Sequence, residues 1–262
     1  MLNGKVNEFM LKHKIGVFIL VIALSACSSK ENKEELTDPN TIYKEAAAAL
    51  NKDEYALAAT KFEQLEREHP ASDLAGQAHV NRAYAKYMEG KFDDAVMIID
   101  DFIKQYPAHN VTPYMYYLKG LCYYDQILDA ARDQELSNKT IKTFNDLINR
   151  FPHSKYARDA QLKIDYATNM LAAKNMDTGR FYLKRGDLIA ALGRFRTVVD
   201  QYQTTIFITE ALYRMVEIYY SLGDIEQAKN YAAVLGYNYP ESHWYDDAYA
   251  ILSQNTSGAT RE

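Results

Sequence analysis

One closure recurs five times along this chain, and it restricts the possible folds more than any other feature. The five copies are Phe62…His69-Pro70, Phe102…Tyr106-Pro107, Phe144…Phe151-Pro152, Phe195…Tyr202-Gln203 and Leu235…Tyr239-Pro240. A small or turn-forming residue stands about seventeen positions before four of them: Asp53, Gly90, Gly186 and Gly223. Each is followed by a large residue and then an alanine, as Tyr55/Ala58, Phe92/Ala95, Leu188/Ala191 and Ile225/Ala228. Physically this spells a helix, a turn that favours positive φ, a second helix and a proline that stops it. The alanine lets two helices approach closely, and the aromatic that follows fills the gap between pairs. No segment alternates as a strand would, so an all-α chain of helix pairs is expected.

The pattern resembles the tetratricopeptide repeat, with a period of about 34 residues. With the closing residue aligned to the end of the repeat, Ala46, Ala83, Gly120, Gly179 and Val216 take the small position of each first helix. Tyr123, Tyr182 and Tyr219 fall on its aromatic position. The expected fold is a right-handed superhelical solenoid of about five such pairs over 41–254, capped by a short helix near Trp244–Ser253, with a disordered tail at 255–262. Copy three carries extra residues around Asp125–Ser137, expected as a loop. In copy four the lead-in from Tyr156 is expected to form one long helix running to Lys184.

The front of the chain is of another kind. Lys12, His13 and Lys14 precede an apolar run at 15–23, too short to span a bilayer, which needs about 20 residues. It reads as the core of a secretory signal occupying 1–26. The segment Leu24-Ser25-Ala26-Cys27 resembles a bacterial lipobox, which implies cleavage before Cys27 and lipidation of its thiol. Ser28 after the cysteine implies export to the outer membrane. The alternative is an ordinary signal peptide with a cysteine near its cut. One acyl chain anchors only marginally, whereas the three of a mature lipoprotein would hold permanently. Residues 27–40, polar beyond the cysteine, read as a lipidated flexible tether. Cys122 is then the one thiol left and cannot pair within the chain; set among Leu121, Tyr123 and Tyr124, it reads as a small buried hydrophobe.

Removing the three lysines and one glutamate of 1–26 takes the net charge from −5 to −7, without a basic stripe, which argues against nucleic acid as a partner. The residue in excess is tyrosine, 22 against 10 phenylalanines and 1 tryptophan, a ring that suits half-buried contact surfaces. In tetratricopeptide proteins the first helices line a groove. Carried over, the groove positions are Tyr43; Val80, Tyr84 and Tyr87; and Tyr114, Tyr117 and Tyr124. In copy four they are Met176, Arg180 and Lys184, and in copy five Glu210, Tyr213, Glu217 and Tyr220. The first three copies would thus offer a tyrosine-rich surface suited to an extended peptide; the same rings could equally pack between repeats. Arg194, Arg196, Asp200 and Lys229 on later second helices, with Tyr213, form a second candidate surface for a partner, or an ordinary solvated face.

Catalytic signals are missing from the sequence. The six histidines form no metal-binding pair, no zinc-type cysteine spacing occurs, and there is neither a phosphate-binding loop nor a nucleophile elbow. The expectation is a binding protein without cofactor or metal, not an enzyme. Acidic pairs at Asp93-Asp94 and Asp246-Asp247 suit helix N-termini.

Two stretches are more specific than the generic repeat: the segment from Phe102 to His109 with the one from Tyr114 to Leu121, and Tyr182-Leu183-Lys184-Arg185-Gly186. With the Arg132-Asp133-Gln134 insertion, they resemble the BamD family (also ComL or YfiO), the lipoprotein subunit of the outer-membrane β-barrel assembly machine. The departure is Gln203 in place of a closing proline. The resemblance implies partners: a BamA-like barrel protein bound through the C-terminal repeats, other lipoproteins of the machine, and unfolded outer-membrane proteins whose targeting segment meets the N-terminal repeats. It also implies attachment to the membrane through Cys27. Other tetratricopeptide lipoproteins, of pilus assembly, cell division or protease adaptation, remain alternatives.

Overall fold

The computed structural model describes residues 37–127 and 134–258. Within them every regular element is an α-helix. The first pair is α1 (Pro39–Leu50) and α2 (Tyr55–Glu68), the second α3 (Ala75–Met88) and α4 (Phe92–Gln105). The third is α5 (Thr112–Tyr124) and α6 (Gln134–Arg150), the fourth α7 (Ala157–Lys184) and α8 (Leu188–Gln201), the fifth α9 (Ile208–Ser221) and α10 (Ile225–Asn238). A last helix, α11 (His243–Gly258), packs on α9 and α10. Each helix packs chiefly on its neighbours in sequence, the logic of a repeat stack.

The turns inside the pairs explain the Gly/Asp spacing. Gly90, Gly186 and Gly223 have φ of 76°, 81° and 81°, and Asp53 has φ 60°. At each, the next amide reaches back to a carbonyl five residues earlier: Glu54 to Ala49, Lys91 to Lys86, Asp187 to Tyr182 and Asp224 to Tyr219, at 2.9–3.0 Å. This is the Schellman closure, which satisfies orphan carbonyls at a helix end and favours glycine because a side chain is strained at positive φ. Between pairs, the turn that ends with Gln203 keeps the hydrogen bonds of the proline turns: Tyr202 N–H to Val198 O at 2.9 Å and Thr205 N–H to Tyr202 O at 3.1 Å. The closing proline is therefore dispensable there.

The core is a chain of linked clusters rather than one nucleus. Phe62, Phe102, Phe144 and Phe195, one on each of the first four second helices, and Leu235 on the fifth are fully buried. The clusters successively join α1–α3, α3–α5, α5–α7, α7–α9 and α9–α11. Trp244, Tyr245, Ala248 and Leu252 close the last of them, as an end cap must.

Several boundaries differ from the sequence-based expectation. Helix α6 begins at Gln134, with Ser137 and Thr140 buried, so the expected 125–137 loop ends before 134. Residues 128–133, including Arg132 and Asp133, lie outside the described residues. Helix α1 takes in Pro39 and Asn40, assigned to the tether, because proline is well tolerated in a first helical turn. The cap continues to Gly258, into the stretch expected as tail. The signal, Cys27 and the rest of the tether lie outside the described residues. Among those described, no helix is long and apolar enough to cross a membrane.

Candidate functional site

Tyrosines spaced three, four or seven apart on one helix share a face, which places Val80, Tyr84 and Tyr87 together on α3 and Tyr114, Tyr117 and Tyr124 on α5. All six tyrosines of the row, Tyr43 included, are half-buried. Val80 differs: at 5% exposure it belongs to the core, a correction to its reading as an open groove position. Met176, at 0%, is likewise core.

Much of this row ties repeat to repeat. The Tyr43 hydroxyl on α1 accepts from Asn81 Nδ2 on α3 at 3.1 Å. Tyr87 on α3 donates to Asp125, just beyond α5. Tyr117 on α5 donates to Asp159 Oδ2 on α7 at 2.6 Å, and its ring stacks on Tyr156 with centroids 4.9 Å apart. Farther on, Arg180 of α7 grips Glu210 of α9 through both carboxylate oxygens, at 3.0 and 2.6 Å. Tyr213 of α9 lies against Trp244 of α11 at 4.9 Å. Each first helix is thus held to the next by at least one such contact.

The electrostatics follow from these ties. Burial, then the bond to the carboxylate, pushes the Tyr87 and Tyr117 phenols above their usual value, and burial alone leads for Tyr114. At Asp159 burial acts upward, but the hydrogen bonds from Lys163 (2.7 Å) and Tyr117 outweigh it and hold the carboxyl below its ordinary range. Lys163 also lies over the rings of Tyr117 and Tyr124, 5.9 and 5.3 Å from their centroids. Tyr124 meets Tyr166 edge-on at 5.4 Å. Tyr84, Tyr114 and Tyr124 make no side-chain hydrogen bond among the described residues. Tyr114 and Tyr124 are packed against Tyr156 and Tyr166, which leaves Tyr84, without a ring contact there, the tyrosine most available to a ligand.

Open space adjoins the row between α3, α5 and the start of α7. A cavity of about 730 Å³ lies between the start of α3 (Gln77, Val80, Asn81), the start of α5 (Asn110 to Tyr114) and the α6–α7 turn from Arg150 to Tyr156. Of the seven sequence-based groove residues, only Val80 and Tyr114 line it. Tyr114 meets Tyr156 across it at 5.7 Å. Cys122 is buried behind α5, and burial pushes its thiol up to about 12.

The second candidate surface is not one patch. Arg194, Arg196, Asp200 and Lys229 are exposed on α8 and α10, whereas Tyr213 is covered by Trp244 and by the Arg214 guanidinium, 5.2 Å from its ring. Arg196 Nη2 donates to the Tyr219 hydroxyl at 2.5 Å, and Tyr219 stacks on Tyr231 with planes 8° apart.

Sequence reasoning missed Tyr156, Asn81, Asp159, Lys163 and Trp244. A signal for the first was present: four residues after the Pro or Gln of each inter-pair closure stands a large apolar residue, Leu74, Val111, Tyr156 and Phe207, each immediately before a first helix.

Residues 35–235 match the family model described as YfiO, outer membrane lipoprotein. The chain is 41% identical over 237 residues to the outer membrane protein assembly factor BamD of Rickettsia prowazekii, covering 90% of this chain and 94% of that one. It is 38% identical over 245 residues to that of Caulobacter vibrioides, covering 92% and 80%. Against the factor of Neisseria meningitidis serogroup A the identity is 30% over 246 residues, covering 88% and 92%.

Proposed function

The chain belongs to the YfiO family of outer membrane lipoproteins and is an outer-membrane protein assembly factor; from that premise we propose that it is a lipid-anchored scaffold that recognises and positions other proteins without catalysing a reaction. Cys27 carries the anchor and 28–40 leads to the repeats. The C-terminal repeats bind a BamA-like barrel protein, using Arg194, Arg196, Asp200 and Lys229 of α8 and α10. Tyr213 acts there indirectly, by seating α11 through Trp244. Other lipoproteins of the machine share the complex.

The N-terminal repeats receive the targeting segment of an unfolded outer-membrane protein. The observation that supports this is the half-buried tyrosine row next to an open cavity: rigid rings with few rotamers lose little entropy when they bury against a peptide. Tethering to the membrane adds local concentration without any new contact. Structural duty divides the row. Tyr84 and Tyr114 are the contact residues, whereas Tyr43, Tyr87 and Tyr117 chiefly set the spacing of the first helices.

The test is a pull-down of the tagged, lipidated chain from solubilised outer membranes, with Tyr84→Ala and Arg196→Ala variants alongside. Recovery of a large barrel protein, weakened by Arg196→Ala only, and loss of client-peptide binding in Tyr84→Ala only, would support both assignments. Unchanged peptide affinity in Tyr84→Ala would remove the row from the recognition surface. Pilus, division or protease components as the main partners would overturn the scaffold's proposed place.

A further inference from the structure

The cavity beside the tyrosine row has a charge pattern unlike that of the chain. The chain is acidic, at net −5, yet no Asp or Glu is among the residues lining this space, while Arg150, His153 and Lys155 all line it. Several basic side chains that bridge helices elsewhere in the repeats sit against carboxylates, as Arg82, Lys119, Lys163 and Arg180 do. Arg150 and Lys155 have no carboxylate partner among the described residues. They are nonetheless held in place: the Arg150 guanidinium lies 5.5 Å from the centroid of the Tyr116 ring, and the Lys155 ammonium 5.1 Å from that of Tyr156. A cation fixed on an aromatic face needs less ordering to meet an anion than a free lysine does. The apolar walls, Val80, Tyr114 and Tyr156, would take a neighbouring apolar side chain.

The cavity is also continuous with the row in both directions. Asn81 lines it and donates to Tyr43; Tyr156 lines it and stacks on Tyr117. A polypeptide lying along the first helices would pass through this space rather than end in it. We propose that this cavity binds an internal acidic stretch of an extended partner polypeptide, with Arg150 and Lys155 taking a side-chain carboxylate between apolar neighbours. This rests on the reading that the tyrosine-lined face receives an extended polypeptide, and adds what that polypeptide must carry.

The probe is a short fluorescein-labelled peptide alternating apolar residues with glutamate, acetylated and amidated so that it has no terminal carboxylate, with a glutamine counterpart. General electrostatics would repel the acidic peptide from an acidic protein, so a preference for it has to be local. Anisotropy titration should show the glutamate peptide binding about tenfold more tightly than the glutamine one. The preference should shrink as salt rises and vanish in Arg150→Gln with Lys155→Gln. Both side chains are exposed, so the loss of their contacts with Tyr116 and Tyr156 should lower the melting temperature by only a few degrees, and the double variant stays folded at the titration temperature. Equal affinity for the two peptides, or a preference that survives in the double variant, overturns this inference alone. So does binding that appears only when the amide is replaced by a free C-terminal carboxylate. Absence of binding by either peptide removes the groove reading, and this inference with it.

Discussion

A β-carbon added at Gly179 of α7 would stand 2.6 Å from Cε1 of Phe195 on α8, and 2.8 Å from its Cζ. Gly120 and Phe144 repeat the relationship more tightly one pair earlier. The missing side chain on the first helix is the space that the phenylalanine of the second helix fills, and Phe195 is 0% exposed. In an exposed helix, Gly→Ala stabilises by roughly 0.5–1 kcal/mol. Here the ring must be displaced in a close-packed core, which costs about 1–3 kcal/mol. Gly179→Ala should therefore lower the urea midpoint, whereas Gly193→Ala, with nothing within 4 Å of its added carbon, should raise it. A stabilised Gly179→Ala would mean that this contact is not tight.

Tyr117→Phe removes the hydroxyl that donates to Asp159 but keeps the stacked ring. With the carboxylate partly solvated, the loss should be about 1 kcal/mol. Tyr117→Ala, which also removes the half-buried ring from Tyr156 and Phe144, should lose about 2–3 kcal/mol. Chemical denaturation of both variants checks this, and equal losses would show that the ring contributes nothing beyond its hydroxyl.

Acid should loosen the joint between α7 and α9. Burial acts to raise the Glu210 carboxyl, but Arg180 and Arg214 outweigh it and lower it below its usual value. A depressed acid contributes stability above its unfolded value, about 4.3, and loses that contribution as pH falls through the lower folded value. Stability should thus decline as pH drops from about 5 toward 3. Glu210→Gln should cost about 2 kcal/mol at neutral pH and flatten the acid decline. An identical pH profile in the variant would assign the decline to other carboxylates.

The Cys122 thiol, pushed up to about 12 by burial, should stay protonated and unreactive at pH 8, since the thiolate is the nucleophile. In a Cys27→Ser chain, a thiol reagent should label Cys122 only at the rate of unfolding, and rapidly in denaturant. Fast labelling of the folded chain would show that the α5 face opens.

Much of the fold is local and therefore legible in one dimension. The positive φ of Gly90, Gly186 and Gly223 is written as a glycine at a fixed distance from each closure. The fit of Phe195 to Gly179 is written as a small residue and a ring one helix apart. In a repeat stack each element touches chiefly its sequence neighbours, so periodicity maps directly onto packing, and even the long α7 follows from an uninterrupted lead-in. The helix ends at Gln134 and Gly258 were less legible, because terminal turns are set by what packs against them.

The candidate site divides in the same way. Helical spacing alone placed Tyr84 with Tyr87 and Tyr114 with Tyr117, since residues three apart share a face whatever surrounds them. Only the tertiary structure decided that Tyr117 meets Asp159 and Tyr156, that Trp244 covers Tyr213, and that Arg150 and Lys155 border a cavity free of carboxylates. These contacts join residues of different repeats, and the direction in which a side chain crosses between two first helices depends on their relative placement. No spacing within a single helix encodes that.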